Sequence, residues 1–269
     1  IRRDSYIPLF YDICTHRDQV WALPSTVASL GLHWNKRLFR EAGLDPNKPP
    51  RSLAELDAMN DKLTVFELED GTRKTYAELG KKPDGNYKIV QMGFLPFEPD
   101  WYIWSWGYWF DGQLWNGSDK ITCNDTGNVA ALRWVQDSFM KRYGKTEVDA
   151  FFGGFRGVFA SSQNAFLSGK VAMVLQGVWM YNFIEKYSAG MEWSACAMPA
   201  QRPDQNVVMV EADALAIPKG ARHPRESFDF IRFVNTKKAS QLLALGHRKF
   251  PPLKDVDPDF YKQNPNPCI

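Results

Sequence analysis

The chain has 269 residues, 44% of them hydrophobic and 24% charged, with a formal net charge of +2. That is the composition of an ordinary globule long enough to bury a large core. It lends no support to nucleic-acid binding, and no apolar run approaches the ~20 residues that cross a bilayer.

In chain order, the opening IRRDSYIPLF shows neither a long apolar stretch nor a small-residue cleavage site, so no signal peptide is legible there. Val20–Leu23 and Ala28–His33 read as short strands. Ser52 followed by Glu55 forms a capping box, and Leu53, Leu56, Met59 and Leu63 then recur at near-helical spacing. Residues Glu67 to Tyr87, with DGTRK and KKPDGNY, read as polar turns or an inserted hairpin. Ile89–Phe94 is a further strand. Asp125 or Thr126 is placed to cap a helix from about Val129 to Tyr143, which Gly144 ends. Val171–Leu175 is a continuous apolar run, the pattern of a strand covered on both faces. Gly177 closes it, and Trp179 to Tyr187 reads as the first turns of a helix. Ala214–Ile217 is a strand, Pro224 opens one helix and Thr236 caps another that closes at Gly246. Strands alternating with helices predict an α/β architecture.

Ten Trp, ten Tyr and eighteen Phe stand out. Most such rings fill cores, so only their clustering carries information. One cluster is Phe97–Trp115, FEPDWYIWSWGYWFDGQLW, where five tryptophans interleave with Glu98, Asp100 and Asp111. Sugars offer C–H patches to an aromatic face and hydroxyls to carboxylates or amides. The second feature is Trp179, a flat ring at the carboxyl end of a buried strand, where open α/β sheets bind ligands. Catalytic patterns are mostly missing. His16, His33, His223 and His247 lack zinc spacing, there is no G-x-S-x-G elbow, and GGFRG at Gly153–Gly157 lacks the Lys-Ser/Thr of a P-loop. Asn116 and Asn124 sit in acceptor sequons of a kind that chance often supplies. Cys14, Cys123, Cys196 and Cys268 are read as free or buried thiols in preference to a single disulfide.

Five segments in order carry a family resemblance: VWALPS (Val20–Ser25), LHWNKRLFREAGLD (Leu32–Asp45), PPRSLAEL (Pro49–Leu56), FLSGKVAMVLQGVW (Phe166–Trp179) and ALAIPKGARHPRESFDFIRFV (Ala214–Val234). Together they resemble the family 1 extracellular solute-binding proteins, the maltose-binding-protein-like receptors of sugar ABC importers. The resemblance implies an α/β fold of the periplasmic-binding-protein-like class II, two lobes joined by crossing strands and incomplete at both ends. Residues 1–25 would end lobe one and make the first crossing, and 26–210 would form lobe two. Residues 211–247 would return to lobe one, and 248–269 would cross a third time.

The same resemblance places Trp179 on a sugar floor and matches Trp101 and Trp104 to an aromatic pair after Glu-Pro. Trp106, Trp109 and Trp115 are then assigned to the core. Glu98 and Asp213 are expected to take hydroxyls, Asp213 in preference to Glu211, while Arg248, Ser25 and Thr26 reach the ligand from the crossings. It further implies no metal and no cofactor, a carbohydrate ligand, permease subunits as partners, and no nucleic acid. A periplasmic or extracellular location follows, with membrane contact only through the permease or a lipid anchor. Two alternatives stay open: a glycoside hydrolase using Glu98 and Asp213 as paired carboxylates, and the same fold carrying a polyamine or phosphate ester.

Overall fold

The computed structural model describes residues 2–202 and 204–266. Its chain divides into two compact units, one of Ile1–Leu30, Gly177–Asn182 and Val208–Ile269, the other of Gly31–Gln176 and Phe183–Val207.

The second unit is built on a mixed sheet. Its strand order is Arg73–Thr75, Val65–Leu68, Tyr87–Phe94, Val171–Gly177, the later half of Leu23–Asn35, and Trp193–Cys196. Tyr87–Phe94 and Val171–Gly177 run parallel, with Met92 opposite Val171 and Phe94 opposite Met173. Every residue of Val171–Gly177 is buried, which is what its unbroken apolar sequence requires. Residues 65–75 resolve the polar stretch as a hairpin, Val65 facing Thr75. Trp193–Cys196 escaped the sequence reading because it is four residues long and only partly buried at the sheet's edge.

Local chemistry fixes the helices. Ser52 Oγ accepts from the amide of Glu55 at 3.1 Å, and the Glu55 carboxylate takes the Arg51 amide at 2.7 Å, which starts Leu53–Leu63. Asp125, not Thr126, caps Thr126–Val135 by accepting from Asn128 N at 2.8 Å; the coil then continues as a π-helical turn over Gln136–Lys141. The tryptophan-rich run forms a 3₁₀ helix over Ile103–Phe110 that lies against the start of this helix. Gly107 permits the approach, since a Cβ there would sit 1.7 Å from Asn128 Oδ1. Trp106 and Trp109 are buried, their centroids 5.4 Å apart, and Trp106 also meets Phe94 edge-on at 6.0 Å. Each removes on the order of 200 Å² from water, an upper estimate of about 5 kcal/mol of transfer free energy. Trp115 departs from its core assignment. It is 52% exposed, because the chain has left the 3₁₀ helix and turned into the Asn116–Lys120 loop.

The sequence pattern predicts strands at Val20–Leu23 and Ala28–His33; Val20 instead ends a two-residue strand, Gln19–Val20, paired with Thr15–His16, and a separate strand starts at Leu23 and runs through the second of these. Leu23–Asn35 is continuous for 13 residues, and its first half pairs antiparallel with Val210–Leu215, Leu23 facing Leu215 and Ser29 facing Val210. The register slips between Pro24 and Thr26, which accommodates a proline that cannot donate to a ladder. Tyr6, Leu23, Ile231 and Leu253 form the first unit's core with Tyr11, Leu215 and Ile217 against it. Pro224–Val234 and Lys237–His247 supply the helices, the second capped by Thr236 Oγ1. Phe230 and Phe233 remain mostly exposed on the first of them.

Among the described residues Cys14, Cys123 and Cys196 are free thiols, Cys14 buried and Cys123 exposed. Cys268 lies outside the described residues. No helix among them is long and apolar enough to cross a membrane, and no group of His, Cys, Asp and Glu is arranged to hold a metal ion.

Candidate functional site

In the first unit, the end of the buried strand and the start of the helix Met180–Tyr187 place Trp179 where the sequence reading expects it. The ring is partly buried. It rests against Gly177, where a Cβ would come within 2.2 Å of the indole, so only glycine permits this packing. Its Nε1–H is buried and has no hydrogen-bond partner among the described residues. An unpaired buried donor costs about 1–3 kcal/mol unless something accepts from it.

Beside the ring lies Lys249, whose Nζ is 5.2 Å from the Trp179 centroid and 2.6 Å from Asp213 Oδ2. The same carboxylate oxygen accepts from Thr26 Oγ1 at 2.7 Å, and Ser25 Oγ donates to the Asp213 carbonyl at 3.2 Å. Burial pushes the Asp213 carboxyl up, but hydrogen bonds from Lys249 and Thr26, with the charges of Lys249 and His247, outweigh it and hold the group below its ordinary range. Glu211 moves the other way, raised by burial against the pull of Lys249. Arg248 has a left-handed backbone, φ 58°, at the end of the helix Lys237–His247. Its guanidinium lies 5.2 Å from the Tyr181 centroid, and its Nε is buried without a partner among the described residues. Thr26, Asp213, Arg248 and Trp179 thus belong to one unit. Lys249 and Tyr181 join the set without having been singled out in the sequence. The signal for Lys249 was its position beside Arg248, but a lysine next to an arginine reads as one more solvated charge.

In the second unit, Trp101 is 48% and Trp104 53% exposed, and both are held by ring contacts. Trp101 lies 4.6 Å from Phe159, Phe159 lies 5.2 Å from Phe183, and Trp104 meets Tyr108 edge-on at 6.3 Å. Trp104 Nε1 donates to the Trp101 carbonyl at 2.9 Å. Asp100, directly before them, has φ 75°, a conformation rarely taken by residues other than glycine. Glu98 is buried. Desolvation, with the Asp100 charge adding to it, pushes its carboxyl up to about 7.

The two carboxylates of the hydrolase alternative therefore lie in separate units and in opposite environments. In the first unit the residues offer an indole face, hydroxyls, cationic donors and a carboxylate; in the second, exposed indole faces and a buried carboxyl.

Residues 6–267 match the family described as bacterial extracellular solute-binding protein. Among curated proteins, the xylose/arabinose-binding protein XacG of Haloferax volcanii is 21% identical over 259 residues, 92% of this chain and 49% of its own. Among solved structures, CpMnBP1 with mannotriose bound superposes with a TM-score of 0.77 at 25% identity, covering 96% of this chain and 64% of that one. A solute-binding protein from Thermotoga lettingae, bound with α-D-tagatose, gives 0.67 at 18% identity over 97% and 60%, a likeness of fold alone. The chain spans about half the length of the curated relative and under two thirds of these structures.

Proposed function

Since this chain belongs to the bacterial extracellular solute-binding protein family, we propose that it is the carbohydrate-recognising portion of a receptor that delivers a sugar to an ABC importer. The observation that carries this reading is Trp179. A partly buried indole is fixed by Gly177 and Lys249 beside a carboxylate already oriented by Thr26. An aromatic face covers the C–H side of a pyranose for about 0.5–1.5 kcal/mol beyond area burial, and each hydrogen bond to a charged group adds about 1.5–3 kcal/mol. A few such contacts reach micromolar affinity, about −8 kcal/mol, after association costs. The mannotriose bound to CpMnBP1 supports a short oligosaccharide as ligand.

On this reading Trp179 and the exposed pair Trp101 and Trp104 take the apolar sugar faces. Asp213, Arg248, Thr26 and Glu98 take the hydroxyls. The division into lobes at residues 25/26 and 210/211, the permease partner and the periplasmic or extracellular location belong to the same proposal.

A second reading rests on Glu98. A buried carboxyl raised to about 7, with Asp100 as acidic neighbour, has the character of a general acid. A thermal-shift panel of neutral oligosaccharides, with chromatography of each sugar afterwards, decides between the readings. Stabilisation by one or more sugars recovered intact is the expected result. Cleavage would establish the hydrolase. A shift from putrescine or a phosphate ester with a flat sugar panel would change the cargo.

A further inference from the structure

We propose that Asn164 is a positioning residue that sets the Trp101–Phe159 aromatic surface through the proton on Glu98. The proposal deepens the carbohydrate-binding reading and rests on it only for the role of Trp101. Asn164 is 2% exposed. Its Oδ1 accepts from the amides of Phe166 at 2.9 Å and Leu167 at 3.2 Å, which anchors it to the turn leading into the buried strand. Its Nδ2 faces two acceptors on other segments, the Phe159 carbonyl at 3.2 Å and Glu98 Oε1 at 3.5 Å. One side chain therefore joins the loop that carries Phe159 to the turn that leads into Trp101, and those two rings touch at 4.6 Å. Nothing else in the described structure ties the Glu98 carboxyl by a hydrogen bond.

The tie is long, and the charge on Glu98 decides what it does. An ionised carboxylate buried here has one distant donor and the Asp100 carboxylate acting on it. Among the described residues, Asp100 is the charged group that acts on Glu98; Arg156 is turned over the Phe152 ring at 5.3 Å. Ionisation favours movement of Glu98 toward water and away from Asp100, which loosens the Asn164 link. Protonation removes both penalties and leaves the neutral acid seated. The aromatic surface is therefore held in place while Glu98 is neutral and released when it ionises, and a sugar that seals it from water favours the protonated acid.

The test uses the full 269-residue chain. Tryptophan fluorescence is followed from pH 5 to 9, alongside calorimetric titration with mannotriose at pH 6 and 8. The wild type is expected to show a fluorescence transition with a midpoint near 7. Glu98→Gln, which fixes a neutral side chain, should abolish it. Asn164→Asp, which replaces the donor by a second acid, should shift it by about one pH unit or more, a change that mere loosening of the fold would not produce. Mannotriose should bind about three- to ten-fold tighter at pH 6 than at pH 8, and Glu98→Gln should lose that pH dependence whatever its affinity. A flat wild-type profile, or a transition that survives in Glu98→Gln, overturns the proposal. So does a mannotriose affinity independent of pH while the fluorescence titrates. If mannotriose gives no heat at any pH and the oligosaccharide panel is also flat, the carbohydrate reading fails, and the fluorescence series alone decides whether Asn164 and Glu98 position the rings.

Discussion

The two units present aromatic rings in opposite ways. Trp179 in the first is wedged against a glycine backbone with an ammonium 5.2 Å from its centroid, and it keeps a partly buried edge. Trp101 and Trp104 in the second are about half exposed and lean on other side chains, Trp101 on the half-buried Phe159 and Trp104 on the exposed Tyr108. The carboxylates follow suit. Asp213 is tied by two donors and held below its ordinary range, while Glu98 has one distant donor and is pushed up to about 7. The contrast teaches that one set of residue types makes a rigid wall where a ring is wedged against backbone, and an adjustable surface where half-exposed rings lean mainly on one another.

The largest expected effect breaks the wall. Gly177→Ala would drive a methyl into the indole, so Trp179 must move; sugar affinity should fall at least 100-fold and stability by about 1–3 kcal/mol, read by calorimetry and urea unfolding. Trp179→Ala keeps the backbone and should weaken binding about 30- to 100-fold, about 2–3 kcal/mol. Trp101→Ala or Trp104→Ala should cost only about five-fold each, about 1 kcal/mol, because these rings give up less contact area. Losses of equal size at Trp179 and Trp101 would erase the contrast.

The acids sharpen it through the sign of their pH dependence. Asp213 is lowered on folding, so its contribution is present above its ordinary value of 3.8 and fades as pH falls through the depressed one. Glu98 is raised, so its contribution is full below 4.5 and is lost as pH climbs toward about 7. Urea unfolding should therefore find Glu98→Gln more stable than wild type at pH 8, by about 1–3 kcal/mol, with no advantage at pH 4.5. Asp213→Asn should be less stable than wild type at pH 7, since it leaves the ammonium of the buried Lys249 without its partner. The difference should narrow below pH 3.

Much of this was legible in the residues. The unbroken apolar run Val171–Leu175, the caps at Ser52 and Thr236, and Pro224 each state a local conformation that packing has no reason to overturn. Sequence reasoning fared worse where tertiary pairing decides. The pattern starts this strand only at Ala28 because Pro24 interrupts it, and only a register slip against Val210–Leu215 lets Leu23–Asn35 run through. Trp115 resembles its neighbours Trp106 and Trp109 in sequence, and it is the end of the 3₁₀ helix that turns it outward. Lys249 and Asn164 stayed invisible for another reason. Their partners, Asp213 and Glu98, are 36 and 66 residues away, and no local pattern records such a pairing.

Calorimetric titration of mannotriose into the wild type and Trp179→Ala, with the sugar recovered afterwards, tests the central claim most directly. The expected result is saturable micromolar binding of intact sugar by the wild type, weakened at least 30-fold by the substitution. Binding that is unaffected by loss of the indole, or sugar returned in pieces, would contradict it.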